Sequence, residues 1–252
     1  MRKAFTLIEL IMTISIIAIL SVLSLVSYNF FFNKISMAAE VAAGRNLILA
    51  YQKAAADNNG VYLPSRDYTA DDVRDGNGKI LPMREMKARY PFRLAPYFDY
   101  VMEGTILVNK NKSQIRKLFG FGPMYNYGLS IFPAMGINST FLGGTRPLNP
   151  RTNLNNECVT SFANSDRNII AFVSAGADDI DGYEYIKPPY YWGEDENNEN
   201  PSMNGFVDFR FNKKAVVVFL NGSIELLGIK DLKNMRLWSR EAAIKNDSNY
   251  IP

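Results

Sequence analysis

The sequence predicts an α+β fold in which one long N-terminal helix packs on a small antiparallel sheet, with long loops around it. Three observations predict it. An almost unbroken apolar run from Phe5 to Phe32 passes directly into a stretch with helical spacing that lasts to Asp57. The second half of the chain holds short runs rich in β-branched and aromatic residues, bounded by Gly, Asn and Asp, which is the pattern of strands joined by turns. Between the two lie segments dominated by Gly, Pro and Asn, which read as loops.

The first element is FTLIELIMTISIIAILSVLSLVSYNFFF, residues 5–32, with Glu9 as its one charge. It exceeds the roughly 20 residues that a helix needs to cross a bilayer. Lipid offers the backbone no hydrogen-bond partner, so such a run is helical. Arg2 and Lys3 are expected on the cytoplasmic side, which places the rest of the chain outside. A carboxylate at Glu9 is expensive in lipid and points to a partner; the plainer alternative is an anchor with Glu9 among the headgroups. The apolar run is too long for a secretory signal peptide and has no small-residue cleavage site at its end.

From Asn33 to Asp57 the residues Met37, Val41, Gly44, Ile48, Tyr51 and Ala55 recur at threes and fours, the stripe of an amphipathic helix lying on a core. Glu40, Arg45, Gln52 and Lys53 are assigned to the other faces. Asn58-Asn59-Gly60 ends the helix. Residues 61–100 read as irregular, with a short helix between Pro82 and Pro91. Weak strands are expected at Thr105–Val108 and Tyr125–Leu129, around a basic helix in NKNKSQIRKLFG. A long loop then runs through Asn156. Asn168–Ser174 reads as a buried strand, followed by strands at Gly205–Phe211, Ala215–Leu220 and Ser223–Leu227. The last two are joined by Asn221-Gly222, a strong hairpin signal. Asp231 is expected to cap a last helix reaching about Ile244, with Trp238 packed.

At 252 residues, the part beyond the long helix is large enough for one domain with its own core. The formal charge is +3, or about +1 once Arg2 and Lys3 are removed (3 − 2), so the chain lacks the basic field of a nucleic-acid binder. It has no histidine, which excludes histidine-based triads, a histidine general base and the common zinc sites that use histidine. The single cysteine, Cys158, cannot form an intrachain disulfide.

MRKA-FTLIE resembles the leader of type IV pilins and type II secretion pseudopilins. The resemblance implies a leader of residues 1–4, a cut between Ala4 and Phe5 by a membrane peptidase, N-methylation of Phe5, and an assembly role for Glu9 as the fifth mature residue. The family usually has Gly before the cut, and Ala4 stands there in this chain. Cutting leaves a positive amine at Phe5 that Glu9 of a neighbouring subunit can pair with, relieving both buried charges together. The C-terminal RFNKKAVVVFLNGSIELL is similar to prepilin-type proteins with an H-x9-D-G segment. Here Phe211 and Asn221 replace its histidine and aspartate, and Gly222 is kept, which leaves a structural hairpin without polar chemistry.

Ser174-Ala175-Gly176-Ala177-Asp178 resembles a segment of major pseudopilins beside their calcium loop. Calcium takes several oxygens on a flexible loop, and Asp178, Asp179 and Asp181, with Glu184 and Glu194-Asp195-Glu196, are the candidate ligands. The alternative is a solvated turn with Asp181-Gly182 at its corner. Asp75-Gly76-Asn77-Gly78 imitates part of an EF-hand but lacks its first and twelfth ligands, since Val73 and Arg84 stand there, and it reads as a turn. Arg84, Lys87, Arg89 and Arg93, mixed with Tyr90, Phe92 and Tyr97, read as solvated charge beside packed rings rather than a nucleic-acid groove. Gly120-Phe121-Gly122 and Gly143-Gly144 lack the strand-to-helix context of a phosphate loop.

The expected function is therefore structural, not enzymatic: a minor pilin or pseudopilin of a type IV pilus-like or type II secretion filament. The resemblance implies an inner-membrane precursor crossing the membrane once, with helix 5–32 as the span and residues 33–252 as the periplasmic or extracellular domain, which includes the amphipathic half of the helix (33–57). It implies as partners the prepilin peptidase, other pilin subunits, the assembly platform and membrane lipid, with no nucleic acid. No cofactor is expected beyond the calcium of Asp178, Asp179 and Asp181. The alternative is a membrane-tethered extracytoplasmic binding module that does not polymerise.

Overall fold

The computed structural model of the chain describes residues 6–146, 158–193, 195 and 200–252; in the first helix the side chains of residues 24–27, 29 and 30 lie outside that description. Two compact units divide the chain, Met1–Ala38 and Ala39–Pro252. The helix α1, Leu7–Asp57, begins in the first and continues in the second.

In the first unit the apolar side chains of α1 face outward, as with Leu7 at 76% exposure, Ile17 at 62% and Leu23 at 59%. Three of its hydroxyls bond back to the helix itself. Thr13 donates to the Glu9 carbonyl at 3.0 Å, Ser15 to that of Ile11 at 2.8 Å and Ser21 to that of Ile17 at 2.7 Å. Such back-bonding satisfies a hydroxyl without water. Among the described residues no helix is long and apolar enough to cross a membrane.

In the second unit α1 buries Ala43, Leu47, Ile48, Ala50, Tyr51, Ala54 and Ala55. The expected stripe holds at Gly44, Ile48, Tyr51 and Ala55, whereas Met37 and Val41 are only half-buried. The buried face also takes in Glu40, which had been assigned elsewhere. Gly44 sits where the helix comes closest to the sheet: a Cβ there would lie 2.7 Å from Val218 Cγ2 and 3.3 Å from Met135 Sδ. Tyr51 meets Phe172 edge-on at 5.6 Å, stacks on Tyr62 at 5.3 Å and donates its hydroxyl to the Leu63 carbonyl at 2.9 Å. The helix ends as expected, with Asn59 left-handed and the Gly60 N–H donating to the Ala55 carbonyl.

The remaining elements are β1 (Arg66–Asp67), α2 (Arg84–Ala88), α3 (Tyr90–Leu94), α4 (Asn111–Phe119), α5 (Pro123–Ile131), β2 (Met135–Asn138) and β3 (Thr145–Arg146). They are followed by β4 (Ile170–Ser174), β5 (Tyr185–Ile186), β6 (Lys214–Phe219), β7 (Ile224–Gly228), α6 (Ile229–Leu232) and α7 (Arg240–Lys245). The main sheet has the order β5-β2-β4-β6-β7, antiparallel except for β2 against β5. A small parallel pair joins β1 and β3. This is an α+β, pilin-like arrangement: an N-terminal helix with a small, mostly antiparallel sheet.

Several elements depart from expectation for identifiable reasons. Thr105–Val108 is buried but turned, the Ile106 and Leu107 N–H groups both donating to the Met102 carbonyl, so apolar content there serves the core without a ladder. Tyr125–Leu129 belongs to α5, not to a strand; Gly128 lies so close to α4 that a Cβ would meet Phe119 at 2.5 Å, and helix-on-helix packing decides the conformation. Gly205–Phe211 is not a strand, because Gly205 and Phe206 both have positive φ (62° and 67°). Phe206 accepts this left-handed backbone with its ring stacked 4.0 Å from Tyr183. The interior strand β2 lies within the expected long loop, fully buried between β4 and β5. Its Asn138 is buried yet satisfied, donating to the Ile170 and Trp238 carbonyls at 3.0 and 3.2 Å and accepting from the Phe141 N–H.

The β6–β7 hairpin forms as expected, but only Gly222 of the Asn221-Gly222 pair is left-handed, at φ 88°. With the Gly222 N–H on the Phe219 carbonyl, this is a longer loop than the two-residue turn such a pair suggests. The C-terminal helix is broken into pieces. Asp231 accepts from the Gly228 N–H at the start of α6, and Ser239 caps α7 separately. Trp238 is fully buried between them and donates to the Leu232 carbonyl at 2.8 Å.

Candidate functional site

Ala4 and Phe5 lie outside the described residues; the described part of the N-terminal segment begins at Thr6. Thr6 and Glu9 form a reciprocal capping box. Glu9 Oε2 accepts from the Thr6 N–H and hydroxyl, both at 2.9 Å, and the Thr6 hydroxyl oxygen accepts from the Glu9 N–H at 3.3 Å. The box satisfies backbone donors that every helix start leaves open. It was legible as the Thr-x-x-Glu spacing of FTLIE, which was read only for its charge. Glu9 thus has a local partner, and its position on the first turn favours a negative charge.

A second constellation lies in the 39–252 unit; of its members only Asp181 was a candidate from the sequence, as a calcium ligand. Glu40 is fully buried, and its Oε2 lies 3.7 Å from Arg210 Nη1. Arg210 Nε is 3.1 Å from Asp208 Oδ2, Nη1 is 4.0 Å from Asp181 Oδ2, and Nη2 donates to the Ala175 carbonyl. One guanidinium therefore faces three carboxylates. Burial pushes the Glu40 carboxyl above its ordinary range, against the pull of Arg210 and the nearby Ser174 hydroxyl. Burial pushes Asp208 up as well, again opposed by Arg210. Neither Glu40 oxygen, nor Arg210 Nε or Nη1, forms a well-directed hydrogen bond among the described residues. The signal for Glu40 was present: it stands one helical turn before Gly44 and two before Ile48, on the buried stripe.

The third constellation is Glu184, buried and held by two arginines. Arg66 Nη2 and Arg89 Nε lie 2.5 and 3.0 Å from its Oε1, and Arg66 Nε donates to Oε2 at 3.3 Å. Arg89 also donates to the Ser130 hydroxyl at 3.1 Å and sits 5.2 Å from the Tyr127 ring centre. Glu184 therefore ties β5 to β1 and to the α2–α3 junction instead of facing a metal. Arg89 and Arg93 correct the expectation of solvated charge. Arg93 donates to the Pro64 and Ser65 carbonyls, and burial lowers its guanidinium to about 10. Arg84 and Lys87 reach the Tyr68 and Asp71 carbonyls. The stretch from Arg89 to Arg93 is turned inward, while Arg84 stays exposed as expected.

The candidate calcium residues serve different partners. Asp178 accepts from the Ser202 hydroxyl at 2.8 Å, and Asp181 accepts from the Gln114 amide at 3.2 Å besides facing Arg210. The side chain of Asp179 makes no contact of this kind, and its carbonyl receives Gln114. Glu194 and Glu196 lie outside the described residues. Among the described residues no group of three or more acidic or cysteine side chains is placed to hold a metal ion. Asp75 accepts from the Asn77 and Lys79 N–H groups, each at 3.0 Å, which makes a turn of that loop. Phe211 is buried at the base of the β6–β7 hairpin. Cys158 is buried and free, and burial pushes its thiol up to about 12.

Two shallow grooves flank the outer face of α1 at Leu49 and Lys53. One holds about 750 Å³ and has Asp166 as its carboxylate; the other holds about 590 Å³ and has Glu103. Asp166 is bound to Arg240, and Glu103 to Lys112. Neither groove presents two facing acids.

Residues 1–25 match the family model of the prokaryotic N-terminal methylation motif. No curated protein and no solved structure matches the chain. The motif marks a prepilin-type segment consistent with type IV pilins and pseudopilins, and it supports a pilin-like or pseudopilin precursor in general terms. It implies processing by a prepilin peptidase and assembly with other pilin subunits, and it suggests membrane anchoring. Structural families of this type are generally non-enzymatic.

Proposed function

We propose that the chain is a structural subunit, a minor pilin or pseudopilin, of a type IV pilus-like or type II secretion filament. The observation that carries this reading is the methylation motif over residues 1–25. The precursor sits in the inner membrane through residues 5–32, with its C-terminal domain outside. The prepilin peptidase cuts after Ala4, Phe5 is N-methylated, and the helix enters the filament beside those of other subunits, through the assembly platform. The outward apolar side chains of α1 support it, since they find no cover within their own unit and suit lipid first and neighbouring helices afterwards.

Glu9 then has two tasks in sequence. Before assembly its carboxylate caps the helix through Thr6. In the filament it also accepts the charged amine of a neighbour's Phe5, a stronger donor than a neutral N–H. Leaving one of two buried charges unpaired is costly enough to stop incorporation.

Mass spectrometry of the N-terminal peptide from native membranes tests the processing. A peptide starting at N-methyl-Phe5 is expected; an intact Met1–Phe5 junction overturns it and favours the tethered binding module. Assembly is tested by comparing Glu9→Ala with Thr6→Val in sheared filaments. Glu9→Ala is expected to abolish incorporation, and Thr6→Val, which removes the hydroxyl but keeps the charge, to reduce it mildly. Equal incorporation of all three chains would falsify the assembly role.

A further inference from the structure

At the tip where α4 meets α5, apolar side chains stand in solvent. Phe121 is 77% exposed, Leu118 62% and Met124 45%. Phe119, two residues before Phe121, turns the other way and packs on Phe132 and Tyr127. The reversal is made by Gly120 and Gly122, both at positive φ (67° and 79°), with open space around each. The loop therefore has an inner ring that holds it to the core and an outer ring that the core does not use.

The charge along the sequence of the tip has one sign, with the acids Glu103 and Asp181 reaching only the start of α4 at Lys112 and Gln114. From Asn109 to Met124 the sequence NKNKSQIRKLFGFGPM carries Lys110, Lys112, Arg116 and Lys117 and no acid. Lys112 is taken by Glu103. Arg116 lies 5.0 Å above the Phe121 ring, which brings a cation and an apolar face together at one point. Lys110 and Lys117 are exposed and make no ion pair among the described residues.

We propose that this tip is a docking element for an anionic lipid surface, with Phe121, Leu118 and Met124 entering the headgroup–acyl boundary and Lys110, Arg116 and Lys117 meeting lipid phosphates. Cations around a small apolar wedge are what such a surface recognises. A weak wedge is sufficient when the chain is already tethered, because tethering raises its effective concentration at the bilayer. The proposal rests on the membrane-anchor reading to that extent. It gives the domain a preferred resting place on the membrane before assembly, with a contact that salt weakens.

The test uses the full chain reconstituted into phosphatidylcholine vesicles with and without phosphatidylglycerol. A spin label is placed through Phe121→Cys in a Cys158→Ala background, and its collisions with oxygen are compared with those of a water-soluble nickel complex. With phosphatidylglycerol the oxygen-to-nickel ratio is expected to rise several-fold, to fall back in Lys110→Glu/Lys117→Glu, and to fall back in high salt. A label that stays open to the nickel complex in anionic vesicles overturns the proposal. So does one that is immobilised without gaining oxygen access, since that marks a protein contact such as a second copy. Flotation of the chain with the vesicles reads the anchor separately, so a failed tip and a failed anchor give different results.

Discussion

The helix α1 carries apolar side chains along its whole length, yet its two stretches meet opposite fates. The described apolar side chains between Leu7 and Phe32 face outward, with Ile17 62% and Phe32 49% exposed. Between Ala43 and Ala55 the apolar side chains are buried, from Leu47 at 0% to Ala50 at 2%, except Leu49 on the outer face at 57% exposure. The residue types explain the difference. The first stretch is built of Leu, Ile and Val all round, which no single protein face can cover. The second alternates Ala, Gly and Tyr with Arg, Asn and Lys, so one side lies close to a sheet and the other meets water. Hydrophobicity alone does not tell a core helix from an assembly helix; the distribution around the axis does.

Substitutions in each stretch test whether that division is real. The largest loss of fold stability is expected for Tyr51→Ala in the buried stretch, on the order of 3–5 kcal/mol for a buried aromatic with a hydrogen bond, read by urea unfolding of the chain in detergent. Arg210→Met comes next, at about 3 kcal/mol at pH 8, the low end for a broken buried pair because Asp181 and Asp208 are partly exposed. Its loss should shrink as pH falls through the raised Glu40 value. Gly44→Ala follows at about 1–2 kcal/mol, the overpacking of one methyl against Val218. The smallest effect is expected for Ile16→Ala in the outward stretch, within about 0.5 kcal/mol of the parent's fold stability, although filament incorporation should drop. A loss at Ile16 comparable to that at Tyr51 would erase the distinction.

The pH dependence sharpens the same comparison from the side of Glu40. Burial holds the folded pKa of Glu40 and of Asp208 above their unfolded values. The folded state therefore binds these protons more tightly than the unfolded state. Stability is fully present below the ordinary carboxylate range and is lost as pH rises through the raised values. Glu40→Gln removes the Glu40 share, so its unfolding midpoint should vary less between mildly acidic and neutral pH than the parent's. An unchanged profile would mean that Glu40 stays ionised throughout, held by Arg210.

Much of this was legible along the chain, because local patterns with one physical outcome survive folding. The Asn58–Gly60 stop, the basic helix α4, the strands β4 and β6 and the Asn221-Gly222 reversal all formed where turn chemistry and periodicity placed them. Gly205–Phe211 and Tyr125–Leu129 failed as strands because contacts from outside each segment, Tyr183 against Phe206 and Phe119 against Gly128, outweighed weak local preference. Of the candidate sites, the Thr6–Glu9 pair was written in plain spacing. The inward turn of Arg89 and Arg93 was not, since a charge in sequence carries no mark of the carboxylate or carbonyl that will meet it.

The amino-acid order by itself determines the N-terminal segment: its basic start, its all-round apolar helix and the single carboxylate at Glu9 depend only on neighbours within a turn or two. The tertiary structure alone decides which polar groups are buried together. Glu40 meets Arg210, and Glu184 meets Arg66 and Arg89, across more than a hundred residues of sequence in each case but the Glu184–Arg89 pair, which spans 95. Burial turns these charges from solvated groups into pairs that must be satisfied. Burial is a property of the assembled core, of which any one stretch of the chain holds only a part.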